Sequence, residues 1–242
     1  MTTPRHPEVA AQPRAKRVSR WWPVLSGAIA LGLAVGLGAL IVVREQGMPL
    51  AIDTAWFNDL TENRAPVWDS VALVMDALGG GLVATLLIPA VICAALLLAR
   101  RPWAAGYFLA ASLATGGVVQ LLKHFFGRAR PENVLTNLDF GSFPSGHVAN
   151  AAVTSAVLVL LFPRLWVWLA AAGYTMLMML SRTYLGAHWL TDTVGALLLG
   201  IGVAVLLWAP VAAKLDGEHT VALTRRARVR PAADASEERD AV

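Results

Sequence analysis

Residues Ser181–Asp192 read SRTYLGAHWLTD, a polar island between two uncharged runs, Leu165–Ser181 and Thr193–Ala213. Either run could cross a bilayer, yet Arg182, His188 and Asp192 lie between them. Ionisable groups at membrane depth are costly and usually mark function. Gly186 is expected to break the chain between the two helices. If the second helix starts near His188, Asp192 follows at i+4 on the same face. A carboxylate there can accept from one imidazole N–H, fix the tautomer and leave the other nitrogen's lone pair free to attack.

Composition sets the class. The 242 residues are 57% hydrophobic and 15% charged, with a mean hydropathy of +0.58. That balance excludes an ordinary soluble domain and indicates a polytopic membrane protein. The net charge of +4 is unevenly spread and is read as membrane topology, not nucleic-acid binding. The single cysteine, Cys93, can form no intramolecular disulfide and suits helix packing. No Cys/His cluster with zinc-ligand spacing and no Gly-rich nucleotide loop is present.

Working outward from the island, the apolar runs predict six transmembrane helices: Trp21–Val43, Ala77–Ala99, Pro102–Leu122, His147–Pro163, Leu165–Ser181 and Thr193–Ala213. The first is too long and lacks a cleavage site for a signal peptide. Its Gly32 and Gly36 suit close helix packing. Residues 1–20 read as a disordered basic tail and 214–242 as a second disordered tail, leaving 21–213 as one membrane domain. Residues 44–76 read as an interfacial loop with room for a short amphipathic helix. The fourth and fifth runs are the shortest, about 17 residues or ~25 Å against a core of roughly 30 Å, so the polar residues at their outer ends sit at headgroup depth.

Six spans put both termini on one side. That side holds the two tails, Arg100-Arg101 and Arg164, and with them most of the 20 Lys and Arg residues. The other side holds Arg44, Arg64, Lys123, Arg128, Arg130 and Arg182. The positive-inside rule places both tails in the cytoplasm, in a cell (cytoplasmic) membrane protein, and turns 44–76, 123–146 and 182–192 outward.

Two further clusters share that outer face. Lys123-His124-Phe125-Phe126-Gly127-Arg128-Ala129-Arg130-Pro131 carries two cations, Lys123 and Arg130, spaced to embrace one anion, and a guanidinium suits phosphate oxygens. Pro144-Ser145-Gly146-His147 stands at a helix start, where backbone N–H groups and the helix dipole favour an anion. Each cluster alone also fits a plainer use, as interfacial anchors, a capped helix or a structural His–Asp bond. His124, Arg128 and Tyr184 read as local packing or interface contacts.

Together the clusters spell Lys-x6-Arg-Pro, Pro-Ser-Gly-His and Ser-Arg-x5-His-x3-Asp over Lys123–Asp192. This pattern resembles the type 2 phosphatidic acid phosphatase (PAP2) superfamily of membrane lipid phosphatases. The resemblance implies an all-α integral membrane protein, a six-transmembrane-helix bundle with an outward-facing active site. It implies that Lys123, Arg130 and Arg182 bind phosphate with help from Ser145 and Gly146. His188 would be the nucleophile, giving a phosphohistidine, with Asp192 orienting it and His147 protonating the leaving group. No metal or cofactor is called for, and the partners are the bilayer and a lipid phosphate of the undecaprenyl diphosphate, phosphatidylglycerophosphate or phosphatidic acid type. A phosphotransferase with an alcohol acceptor and a non-catalytic lipid-binding or transport protein are the alternatives. Retention of both histidines argues against the last.

Overall fold

The computed structural model describes residues 15–132, 134–136 and 140–240. Among these described residues eight α-helices follow in order: α1 (Ala15–Glu45), α2 (Ala51–Glu62), α3 (Pro66–Gly79), α4 (Ile88–Leu98), α5 (Pro102–Phe126), α6 (Gly146–Leu161), α7 (Leu165–Tyr184) and α8 (Leu190–Asp240). A π-helical turn, Val83–Leu87, leads into α4. Among the described residues there is no strand. Three helical stretches are long and apolar enough to cross a membrane: Trp21–Arg44, Pro102–Phe126 and Leu190–Val221. The pair Pro66–Gly79 and Val83–Leu98 passes the same criteria with a 49° bend, and Gly146–Leu161 is a shorter apolar helix.

The bundle is built around α8, which packs on α1, α5 and α6. Small residues let the helices approach. A Cβ on Gly27 of α1 would lie 2.9 Å from the Gly202 carbonyl of α8, and one on Gly200 would lie 2.6 Å from the Ala149 carbonyl of α6. Gly32 and Gly36, expected at a packed interface, have nothing within 4 Å of such a Cβ and are exposed. The close crossing uses Gly27 because that face of α1, with Ala34 and Ile41, is the buried one.

Two stretches differ from their sequence reading. Residues 44–76 are not a loop with one short helix but hold α2 and most of α3, and the second apolar run begins inside α3. Pro66 at the first turn of α3 supplies the helix start, and the Gly79-Gly80-Gly81 break supplies the bend. The carboxyl segment from 214, expected as a disordered tail, continues α8 to Asp240. Leu215 is buried against the core, and the Glu218 carboxylate accepts from the backbone N–H groups of Trp103 (2.7 Å) and Ala104 (3.1 Å). An acid at those unsatisfied α5 donors is favourable, and it holds this turn of α8 in place. The amino tail lies outside the described residues up to 14, and α1 has already begun by Ala15.

Phe143 locks the functional end of the bundle. Its ring is clasped between Gly38 of α1 and Gly195 of α8 and meets Phe126 edge-on at 5.5 Å. A Cβ at Gly195 would stand 2.5 Å from that ring. Gly195→Ala should therefore lower the melting temperature in detergent, an overpacking cost of about 1–3 kcal/mol. Gly217→Ala, in open space on the same helix, is the control and should melt like wild type. A wild-type melt for Gly195→Ala would contradict the clasp.

Candidate active site

The ends of α5 and α7 and the starts of α6 and α8 meet at one end of the bundle. A left-handed Gly127 (φ 54°) closes α5 just after Lys123 and sends 128–131 back over the bundle. Gly186 (φ 69°) turns the chain after α7, as its sequence position suggested. Backbone hydrogen bonds then pin the segments together: Ser142 N to Arg128 O (2.9 Å), Ser145 N to Asp192 O (3.3 Å) and His188 N to Arg182 O (3.2 Å). The three sequence clusters form one site.

His188 is 2% exposed and stands two residues before α8, not inside its first turn. Its Nδ1 lies 2.8 Å from the Ser142 carbonyl. A carbonyl only accepts, so Nδ1 carries the proton and Nε2 keeps its lone pair. Nε2 lies 3.3 Å from Nη1 of Arg130. Burial pulls the imidazole pKa down to about 4; the Asp192 carboxylate opposes that shift, and Arg130 and Arg182 reinforce it. The ring is thus neutral at pH 7, as a nucleophile must be.

Asp192 does not hydrogen-bond His188 directly, contrary to the expected pairing: its Oδ2 is 3.7 Å from Nδ1. The reason is the helix start. Asp192 is the third residue of α8, and Oδ2 accepts from the Trp189 backbone N–H at 2.8 Å, half of a capping box. Oδ2 also accepts from the Ser142 hydroxyl, and Oδ1 accepts from Nη1 of Arg128 at 2.5 Å. Asp192 therefore holds His188 through Ser142, whose hydroxyl it takes and whose carbonyl takes the imidazole proton.

Arg128, read from sequence as a local contact, is the centre of this network. Its side chain is wholly buried, and Nη2 donates to Oδ2 of Asp53 in α2 at 2.7 Å. Nη1 also donates to Thr191 Oγ1 at 2.8 Å, and the guanidinium lies 5.9 Å from the Trp189 ring centroid. Asp53 in turn accepts from the Thr191 backbone N–H and hydroxyl, both at 2.8 Å.

The expected phosphate ligands are gathered here too. Lys123 Nζ and Arg130 Nη2 both donate to the Gly141 carbonyl, at 3.2 and 2.8 Å, and Arg130 Nη1 donates to Ala187 O at 2.6 Å. Ser145 is the residue before α6, yet its hydroxyl does not cap the helix. That hydroxyl is buried with no partner among the described residues. An orphaned buried hydroxyl costs free energy unless something binds it. Gly146 opens α6 beside it, and an added Cβ would have ordinary room, 3.8 Å from Val119.

His147 faces this group from the first turn of α6. Its Nε2 is 3.1 Å from Oδ1 of Asp76 in α3, and the same carboxylate is ion-paired with Arg182 and accepts from Thr136 Oγ1 at 2.7 Å. A Cβ on Gly80 would stand 2.5 Å from His147 Nε2, so the glycine break after α3 makes room for the imidazole. A cavity of about 400 Å³ opens beside His147 and Gly146, walled by Gly80, Ala84 and Leu113 together with Gly116 and Asn150. Asn150 donates to the Ala84 carbonyl of the π-helical turn at 3.0 Å, fixing one wall.

All eight site residues named from sequence converge, and five partners were missed: Asp53, Asp76, Thr136, Ser142 and Thr191. Asp76 carried a legible signal, since it was the last carboxylate before an apolar run. Asp53 did not, being separated from Asp192 by 139 positions of chain. Among the described residues no group of three or more His, Cys, Asp or Glu could hold a metal ion.

Comparison with known proteins bears on the same region. Residues 104–215 match the PAP2 superfamily. A lipid A 1-phosphatase of Porphyromonas gingivalis is 34% identical over 93 residues, covering 38% of this chain and 20% of that protein. Phosphatidylglycerophosphatase B of Bacillus subtilis is 37% identical over 92 residues, covering 34% of this chain and 45% of that protein. These matches span from a fifth to just under half of those relatives' lengths. A crystal structure of the transmembrane PAP2-type phosphatidylglycerolphosphate phosphatase from Bacillus subtilis superposes with a TM-score of 0.66 at 26% identity, covering 75% of this chain and 94% of that one. The segment 104–215 that matches the PAP2 superfamily holds Lys123, Arg130, Ser145, Gly146, His147, Arg182, His188 and Asp192.

Proposed function

We propose that this protein is an integral-membrane phosphohydrolase that removes phosphate from a lipid phosphate or diphosphate through a phosphohistidine at His188. One observation carries the reading: a neutral imidazole whose Nδ1 is committed to the Ser142 carbonyl and whose Nε2 faces the Arg130 guanidinium. Nε2 attacks phosphorus, forming a P–N bond as the P–O bond to the leaving group breaks. Arg130, Lys123 and Arg182, with the Ser145 hydroxyl and the Gly146 N–H, hold the equatorial oxygens, and this charge stabilisation supplies most of the catalysis. His147, held by Asp76, protonates the departing oxygen, then takes a proton from the water that cleaves the P–N bond. The cavity beside His147 suits the first part of an apolar chain, and the relatives' names support a lipid substrate of the lipid A, undecaprenyl diphosphate or phosphatidylglycerophosphate kind.

Purified protein in detergent, with excess EDTA, should release phosphate from at least one of phosphatidic acid, phosphatidylglycerophosphate and undecaprenyl diphosphate. His188→Ala should reduce release to background. Wild-type release by that variant would end the phosphohistidine reading, and dependence on added metal would end the metal-independent one.

We also propose six membrane passes with both termini cytoplasmic and the site extracytoplasmic. The basic residues at the far end of the bundle, Arg100, Arg101 and Arg164, support this orientation. In a Cys93→Ala background, the exposed Glu132 replaced by cysteine should react with an impermeant thiol reagent on intact cells. Labelling only after permeabilisation would reverse the topology.

A further inference from the structure

We propose that Asp53 and Arg128 are positioning residues for the nucleophile, a carboxylate–guanidinium pair that reaches from α2 into the site and sets both the placement and the effective charge of Asp192. The inference rests on the phosphohistidine reading above and adds two residues to it.

The geometry assigns Arg128 to carboxylates. It lies in the basic stretch Lys123–Pro131, between the cations assigned to phosphate. Its Nη1 and Nη2 are nonetheless used by Asp192 at 2.5 Å, Asp53 at 2.7 Å and Thr191 at 2.8 Å. Asp53 and Asp192 occupy equivalent places, each the third residue of its helix and each accepting from the backbone N–H three residues earlier, Leu50 at 3.1 Å and Trp189 at 2.8 Å. One guanidinium thus ties two helix starts together, and Asp53 adds a grip on the α8 start through Thr191. α2 reaches α8 through this pair and through the edge-on contact of Phe57 with Trp189 at 5.7 Å. Buried ion pairs contribute little net stability compared with apolar packing, so a pair aimed at a catalytic carboxylate has its natural explanation in that carboxylate.

The charge balance makes the idea testable. The charged groups facing His188 are Arg130 on the segment after α5, Arg182 on α7 and Asp192 on α8; Arg128 and Asp53 stand behind Asp192. Arg128 shares its charge between two carboxylates. Removing Asp53 leaves the guanidinium wholly to Asp192, which weakens the pull of Asp192 on an imidazolium. Removing Arg128 exposes the full carboxylate charge to His188, which strengthens that pull. The two changes push His188 protonation in opposite directions, an outcome that a structural prop would not give.

The test is the pH dependence of kcat/KM for Asp53→Asn, Arg128→Gln and the double variant D53N/R128Q, run beside His188→Ala on the lipid phosphate that gives the highest rate among the three named above. Each positioning variant should lose about tenfold or more in kcat, the scale of a slightly misplaced reacting group, with KM changed far less. The acid limb should move down for Asp53→Asn and up, by roughly one pH unit, for Arg128→Gln. The double variant should fall between the two single variants, with its acid limb above that of Asp53→Asn, and because it removes both charges together it serves if Arg128→Gln does not fold. Acid limbs that coincide with wild type, or that move together, while His188→Ala is inactive would overturn the positioning role alone. An active His188→Ala would overturn the underlying mechanism instead.

Discussion

A guanidinium with no water around it must find its counter-charges inside the protein, and Arg128 finds two. Breaking such a buried pair costs about 3–5 kcal/mol, because the surviving charge has no solvent to turn to. Much of the local design follows. Asp53 fixes where α2 docks, and Asp192 fixes where α8 begins. Ser142 is held by Asp192 and holds His188. His188, the proposed nucleophile, is therefore oriented by a chain of hydrogen bonds anchored in a pair that never touches it.

A second carboxylate works on the opposite side of the site. Asp76 joins His147, Arg182 and the loop residue Thr136, so the proposed proton donor and one proposed phosphate ligand share an anchor in α3. Each histidine has its own carboxylate, reached directly at His147 and through Ser142 at His188. The environments separate the two residues. His188 is buried and pushed toward its neutral form, whereas His147 borders the cavity where a leaving group would depart. Two identical side chains can then serve as nucleophile and acid at one pH, which is the pattern expected when environment assigns roles.

The sequence made the converging residues of the candidate site legible and left their supports hidden, for a physical reason. Lys123, Arg130, Ser145, Gly146, His147, Arg182, His188 and Asp192 fall in three short clusters at helix ends, so local rules about caps, dipoles and charge cost apply to them directly. Asp53 and Asp76 act across the fold, through contacts that no local pattern encodes. Asp192 shows the limit in a single residue. Its spacing from His188 suggested a direct bond, but α8 begins two residues later, and the carboxylate is taken by the helix start and by Ser142. The apolar runs marked the helices well where Arg100-Arg101 and Arg164 end them. They failed beyond residue 213, where Leu215 and Glu218 continue the packing under a charged composition. They failed also at 44–76, where alternating acids and apolar residues concealed α2 and the start of α3.

Since Nδ1 of His188 donates to the Ser142 carbonyl, Nε2 is the nitrogen whose lone pair can bond phosphorus. Protein mixed with a lipid substrate labelled with radioactive phosphate, quenched in alkali and hydrolysed, identifies the isomer of any phosphohistidine formed, and peptide mapping identifies its position. The expected product is the Nε2 isomer at residue 188. Label on Nδ1, or on any other side chain, would contradict it.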